Sequence, residues 1–209
     1  MTMSWRPLLF ASIFLFALLA PMNASIIGVV EAEDSVVCCD SVDLGLHLIG
    51  SDSSGSLSPF VQDLGDTTVT KTIANAVSSE ETVGTWSLPE VWPGDVPAST
   101  WSLSMVYEVT NAAGAQINAT ATLQIGSQTY SASTPAGSSF LAQGTGTLNF
   151  DIDVDATSIT SGSNVVLTIT AQTVVFSLPA GDAKLEFQWG SEESDSVLEG
   201  QMPLLSLTL

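Results

Sequence analysis

The chain reads as an all-β protein, an antiparallel β-sandwich or jelly roll of about eight to ten strands behind an N-terminal hydrophobic signal helix. Three observations carry this. Apolar residues recur with period two along most of the chain, the runs are separated by Gly, Pro, Asn and Ser turn signals, and no stretch after the first thirty residues repeats with period 3.6. Strands with one oily and one Ser/Thr/Asp face must press their oily faces together, which gives two layers.

The elements follow in order. Val36, Cys38, Val42, Leu44, Leu46 and Leu48 share a face, with Asp43 and His47 opposite. Ser51 to Ser58, SDSSGSLS, has the composition of a loop or linker. Weaker strands are expected at about 67–75 and 81–88. In TWSLSMVYEVT, residues Trp101 to Val109 alternate cleanly, and INATATLQI repeats the pattern from Ile117 to Ile125. The intervening Asn111-Ala112-Ala113-Gly114 predicts a hairpin joining the two runs. Leu148, Phe150, Ile152 and Val154 alternate with acids, and VVLTITAQTVVFSL is rich in β-branched residues. KLEFQW and a closing PLLSLTL complete the set, with Trp101 and Trp189 in the core register.

Composition sets the compartment. Twenty-two acidic residues face Arg6, Lys71 and Lys184, for a formal charge of −19. Such a surface repels phosphate backbones and anionic headgroups, which excludes nucleic acid as a partner and leaves the membrane reachable only through an uncleaved N-terminus. At the N-terminus, Arg6 precedes LLFASIFLFALLA, an apolar core of 13 residues, and then Pro21-Met22-Asn23-Ala24. A positive segment, a short apolar core and a small residue at the cut describe a secretory signal over 1–24, followed by an acidic segment at 25–35 and the β-sandwich domain at 36–209. An uncleaved anchor over 8–30 is the rival, weakened by Pro21 and Asn23. Either way the acidic body is exported.

Candidate chemistry is sparse. FDIDVD, Phe150 to Asp155, puts Asp151, Asp153 and Asp155 on one side of a strand. The row resembles the catalytic strand of jelly-roll β-glucanases, and that resemblance implies a nucleophile and an acid at the outer positions. Here those positions carry aspartates, one methylene shorter than the family's glutamates, against a required carboxyl separation of about 5–5.5 Å. The same oxygens could hold Ca2+. The solvated side of a half-buried strand is favoured over both. His47 is the single histidine, too few for the usual zinc or copper sets, and no G-x-S-x-G elbow or phosphate loop is present. The chain is therefore expected not to be an enzyme and to need no cofactor.

Trp86 and Trp92 flank a Pro93-Gly94 turn and are the candidates for stacking on a sugar or partner, with capping of the core as the competing reading. Asn118-Ala119-Thr120 is an outward-facing glycosylation sequon. Cys38 and Cys39, adjacent and with no other cysteine in the chain, are poorly placed to bond each other and are candidates for a crosslink between chains. In overall character the sequence resembles the acidic, Lys-poor exported sandwich proteins of marine and halophilic archaea. That resemblance lends a setting, a saline exterior; the expected role is structural, adhesive or assembly, with other surface proteins, further copies of itself or glycans as partners.

Overall fold

The computed structural model describes residues 41–51, 54–73, 79–89, 91, 93–135 and 139–203. The signal segment 1–24, its anchor alternative 8–30, the acidic stretch 25–35, Cys38, Cys39 and Trp92 lie outside the described residues. Within them the chain is all-β, a multi-stranded and almost wholly antiparallel sheet with a single 3-10 turn at Val61–Asp63.

The chain opens with β1 (Ser41–Ile49), β2 (Ser54–Ser58), β3 (Val69–Ile73), β4 (Glu81–Ser87) and the short β5 (Gly94–Val96). Then comes β6 (Ser99–Ile125), 27 residues long, followed by β7 (Gln128–Ser133) and β8 (Ser139–Val154). The short β9 (Thr157–Ile159), β10 (Val165–Ser177), β11 (Lys184–Trp189) and β12 (Val197–Pro203) complete it. Ten strands form one sheet, and β5 pairs with β9 separately.

β6 organises the rest. Along one edge it takes β12, β11 and β10 in turn, and along the other β8 and β7. The path β10–β4–β2–β1–β12–β6 returns to β10 through the second half of β6. Of the six pairings in that circuit only β2–β4 is parallel. β6 is irregular between Val109 and Gly114, where four of its residues face one of β8, and Asn111 takes a left-handed φ of 55°.

This corrects the hairpin expected at Asn111–Gly114. The two alternating runs do not pair with each other; they are consecutive halves of one strand. β8 makes the complementary adjustment: Leu148, Phe150, Ile152 and Val154 face inward at even positions, but Leu141 at an odd one. The swap falls at Gly144, whose φ of 91° a residue with a Cβ rarely adopts. One further expectation is corrected: Ser51–Ser58 is not merely a loop, because Ser54–Ser58 is β2. Of the closing strand expected over PLLSLTL only Pro203 is described, as the last residue of β12, and 204–209 lie outside the described residues.

The core packs tryptophan over glycine. Trp86, Trp101 and Trp189 are fully buried, and Trp86 meets Trp189 edge to face with centroids 5.1 Å apart and planes at 90°. Trp86 lies along Gly84 on its own strand and Gly55 on β2, where an added Cβ would come within 2.7 Å of indole Cδ1. Trp101 likewise covers Gly200 on β12. Gly55 explains β2: a strand poor in β-formers is accepted because only a bare backbone fits beside the indole.

Replacing Gly84 with Ala forces its Cβ into the Trp86 ring. Stability should fall by about 2 kcal/mol, a Tm loss of about 4–8 °C for a chain of this size. Gly45→Ala, whose Cβ meets only Val197 at 3.5 Å, should stay within about 0.5 kcal/mol. Thermal unfolding of the two variants decides it.

Candidate functional site

The acidic row sits on the outward face of β8 and is built by its neighbour. Register places Asp151 opposite Ser102 and Asp153 opposite Thr100. Ser102 Oγ donates to Asp151 Oδ1 and Thr100 Oγ1 to Asp153 Oδ1, both at 2.9 Å, and Ser104 Oγ donates to Asn149 at 3.1 Å. β8 ends at Val154, so Asp155 lies beyond the pleat and the strand carries two of the three expected carboxylates. Two strands away, Glu199 continues the same level across Ser102.

Between β6 and β12 the sheet parts. β12 stays paired with β1 as far as Pro203 but holds β6 only from Ser102 to Ser104. The parting opens a shallow groove of about 420 Å³, whose lining includes Asp43, Ser99, Thr100, Ser102, Glu199 and Gln201. Its lining offers carboxylates, hydroxyls and the Gln201 amide. Asp151 and Asp153 are each drawn sideways to their own hydroxyl instead of toward a shared point. Among the described residues no three His, Cys, Asp or Glu side chains come together closely enough to hold a metal ion.

A second polar cluster was not foreseen from the sequence. The segment Gly190–Ser196 joins β11 to β12 and buries Ser191, Ser194 and Ser196. Ser196 Oγ donates to the Gln188 carbonyl at 2.7 Å and accepts from the Val106 amide at 2.9 Å. Ser191 and Thr68 share a hydroxyl contact at 2.8 Å, while Ser194 donates to the Gln188 amide oxygen, whose nitrogen in turn donates to Glu108. Asp195, between these serines, meets His47 Nδ1 at 2.8 Å. Every buried hydroxyl of this loop is spent on Thr68, Val106 of β6 or Gln188 of β11, which makes the cluster a clasp. The only sequence signal was a run of serines among acids, GSEESDS, which reads as a solvated loop.

Trp86 is 0% exposed, so it offers no face to a sugar or partner and is withdrawn as a ligand-stacking residue. It belongs to the core because β4 is an interior strand, flanked by β2 and β10. Its stacking companion Trp92, and the crosslink candidates Cys38 and Cys39, lie outside the described residues. Asn118 is exposed on β6 opposite Gln172 of β10.

No protein-family model matches this chain, and no curated protein does. Among solved structures it is similar to an aminopeptidase from a marine sediment archaeon, Thaumarchaeota archaeon, with a TM-score of 0.51 at 8% identity. The match covers 78% of this chain and 37% of the aminopeptidase, so the chain spans about a third of that protein. A CocE/NonD family hydrolase from Staphylococcus aureus aligns at a TM-score of 0.49 and 7% identity, over 79% of this chain and 37% of the hydrolase. At such identities the likeness is one of fold.

The clasp and the acidic row should respond differently to substitution. Ser196→Ala strands a buried amide and carbonyl and should cost about 1–3 kcal/mol. Asp151→Asn keeps an oxygen for Ser102 at the surface and should change stability by less than about 0.5 kcal/mol. Urea titration of both variants checks this, and a larger loss in Asp151→Asn than in Ser196→Ala would reverse the assignment.

Proposed function

We propose that this chain is an exported protein of the cell surface or its surroundings, with a structural, adhesive or assembly role and no catalytic one. The observation that carries the reading is the N-terminus: Arg6, a 13-residue apolar core and a small-residue cut at Ala24, set ahead of a body holding all 22 acids. Support comes from the outward faces of that body. Hydroxyls and carboxylates there are spread along separate strands and bonded to one another, as at Ser102–Asp151 and Thr100–Asp153.

A two-layer sandwich or jelly roll is part of this proposal. A long strand that bends at a bulge, as at 110–113 of β6, can carry pairing from one layer to the other and let both bury an oily face. A saline exterior suits the charge, since the Debye length falls from about 8 Å at physiological ionic strength to about 3 Å at 1 M. The alternative of a carbohydrate-binding module would draw on Trp92 without Trp86. A calcium-dependent or carboxylate-based glycan enzyme would draw on Asp151 and Asp153, whose side chains are already engaged by Ser102 and Thr100.

The test is the mass and N-terminal sequence of the protein recovered from its host. Recovery outside the cytoplasm with Ser25 at the N-terminus is the expected result. Recovery from the cytosol with Met1 to Ala24 intact would contradict export, and the same mass measured with and without reductant reports any crosslink through Cys38 or Cys39.

A further inference from the structure

Among the described residues, three strands of the large sheet pair along one edge only: β3, β7 and β8. A free edge shows a row of unpaired amides and carbonyls, and proteins blunt such edges with short strands, lysines, prolines or bulges. β3 has five residues and carries Lys71, and β7 has six. β8 has no such protection. From Gly144 to Val154 it runs against β6 without a register shift, and this stretch holds no Lys or Pro. Only every second residue turns its amide and carbonyl toward β6, so about half of these groups face the open side.

The stretch GTGTLNFDIDV is complementary to its own reverse. Antiparallel pairing of two copies about Asn149 sets Thr147 opposite the partner's Asp151 and Thr145 opposite the partner's Asp153. On the inward side Leu148 meets the partner's Phe150, and Gly146, covered by Tyr107 of its own chain, meets the partner's Ile152. Residues directly opposite share a face. Exposed Thr145, Thr147, Asn149, Asp151 and Asp153 therefore stay outside, and buried Leu148, Phe150, Ile152 and Val154 stay inside. The other edge of β8 already uses this chemistry, since Thr100 and Ser102 donate to the same two aspartates. Each carboxylate gives one oxygen there and has a second to offer. Asn149 accepts from Ser104 through Oδ1, which leaves its NH2 group to donate to the same residue of the other copy. Pairing centred on residue 151 or 152 would instead face aspartate with aspartate, so charge selects the register.

We propose that the open edge of β8 pairs with β8 of a second copy, antiparallel about a two-fold axis at Asn149, so that two sheets become one. The inference rests on the assembly reading above and gives it a site. A two-fold axis matches an edge to itself, so one self-complementary strand is enough. Main-chain bonds supply the attraction and the facing Thr–Asp pairs supply the specificity.

Sedimentation and hydrogen–deuterium exchange of the full chain as purified from its host test this. The wild type should be dimeric, and amides within 144–154 should exchange about tenfold more slowly in the dimer than after dilution to monomer. Thr147→Asp sets like charges opposite each other at two places and should weaken the dimer about tenfold. Thr147→Lys puts a cation opposite the partner's Asp151 and should tighten it. Thr147 is exposed and lies opposite Val106 in its own sheet, so both variants should fold, with circular dichroism as the check. Thr70→Asp, an exposed site on β3, should leave the dimer unchanged. A monomer at every concentration and salt would overturn the pairing and leave export, which the N-terminal sequence tests, standing. A dimer indifferent to both Thr147 variants would overturn this edge and leave assembly through another surface. Protection of 144–154 in the monomer, or only in a complex with a protein of different mass, would give the edge another occupant and overturn the proposal too.

Discussion

Everything in this structure depends on how the 27 residues of β6 find partners along both edges. Backbone amides and carbonyls buried in a sheet must be paired, and a strand this long must have its pairing supplied by several others. β12, β11 and β10 satisfy one edge in sequence and β8 with β7 the other. The bulge at residues 110–113 lies where the β6–β8 register shifts. It displaces the partner strand as well, which is why β8 exchanges its inward and outward sides at Gly144.

The alternation of oil and water was legible wherever it was local. Trp101 to Val109, Ile117 to Ile125 and Val165 to Ala171 lie inward and outward as their spacing requires, because burial on one face leaves no other arrangement. What could not be read was which run pairs with which. Asn111-Ala112-Ala113-Gly114 between two alternating segments has the local form of a hairpin. Whether the segments pair with each other or with third strands is decided by residues as far as 97 positions away, as at Ser102 and Glu199. β2 was hidden for a related reason: Ser54–Ser58 has no strand propensity, and it becomes a strand because Gly55 alone can lie against Trp86.

The candidate sites divide in the same way. Asp151 and Asp153 were correctly placed on one outward face, since side-chain alternation within a strand is local. Their partners Ser102 and Thr100 were not visible, because register is set by the whole β6–β8 pairing. Trp86 was offered to a ligand on the strength of a nearby turn, and the interior position of β4 puts it in the core. The serines at 191, 194 and 196 look like solvent-facing residues in sequence, and only the approach of Thr68, Val106 and Gln188 makes them a clasp. Charge segregation lies between these cases. Residues 109–150 and 156–181, which hold no Asp, Glu, Lys or Arg, are plain in the sequence, but that they lie side by side follows only from β10 pairing with the second half of β6.

Hydrogen–deuterium exchange along β6 tests the central claim most directly. If one continuous strand closes the circuit, the inward-register segments Trp101–Val109 and Ala115–Ile125 should both be among the slowest to exchange and should open together as one unit. Rapid exchange of either half while the other stays protected would show two independently held strands, and the account built on β6 would fail.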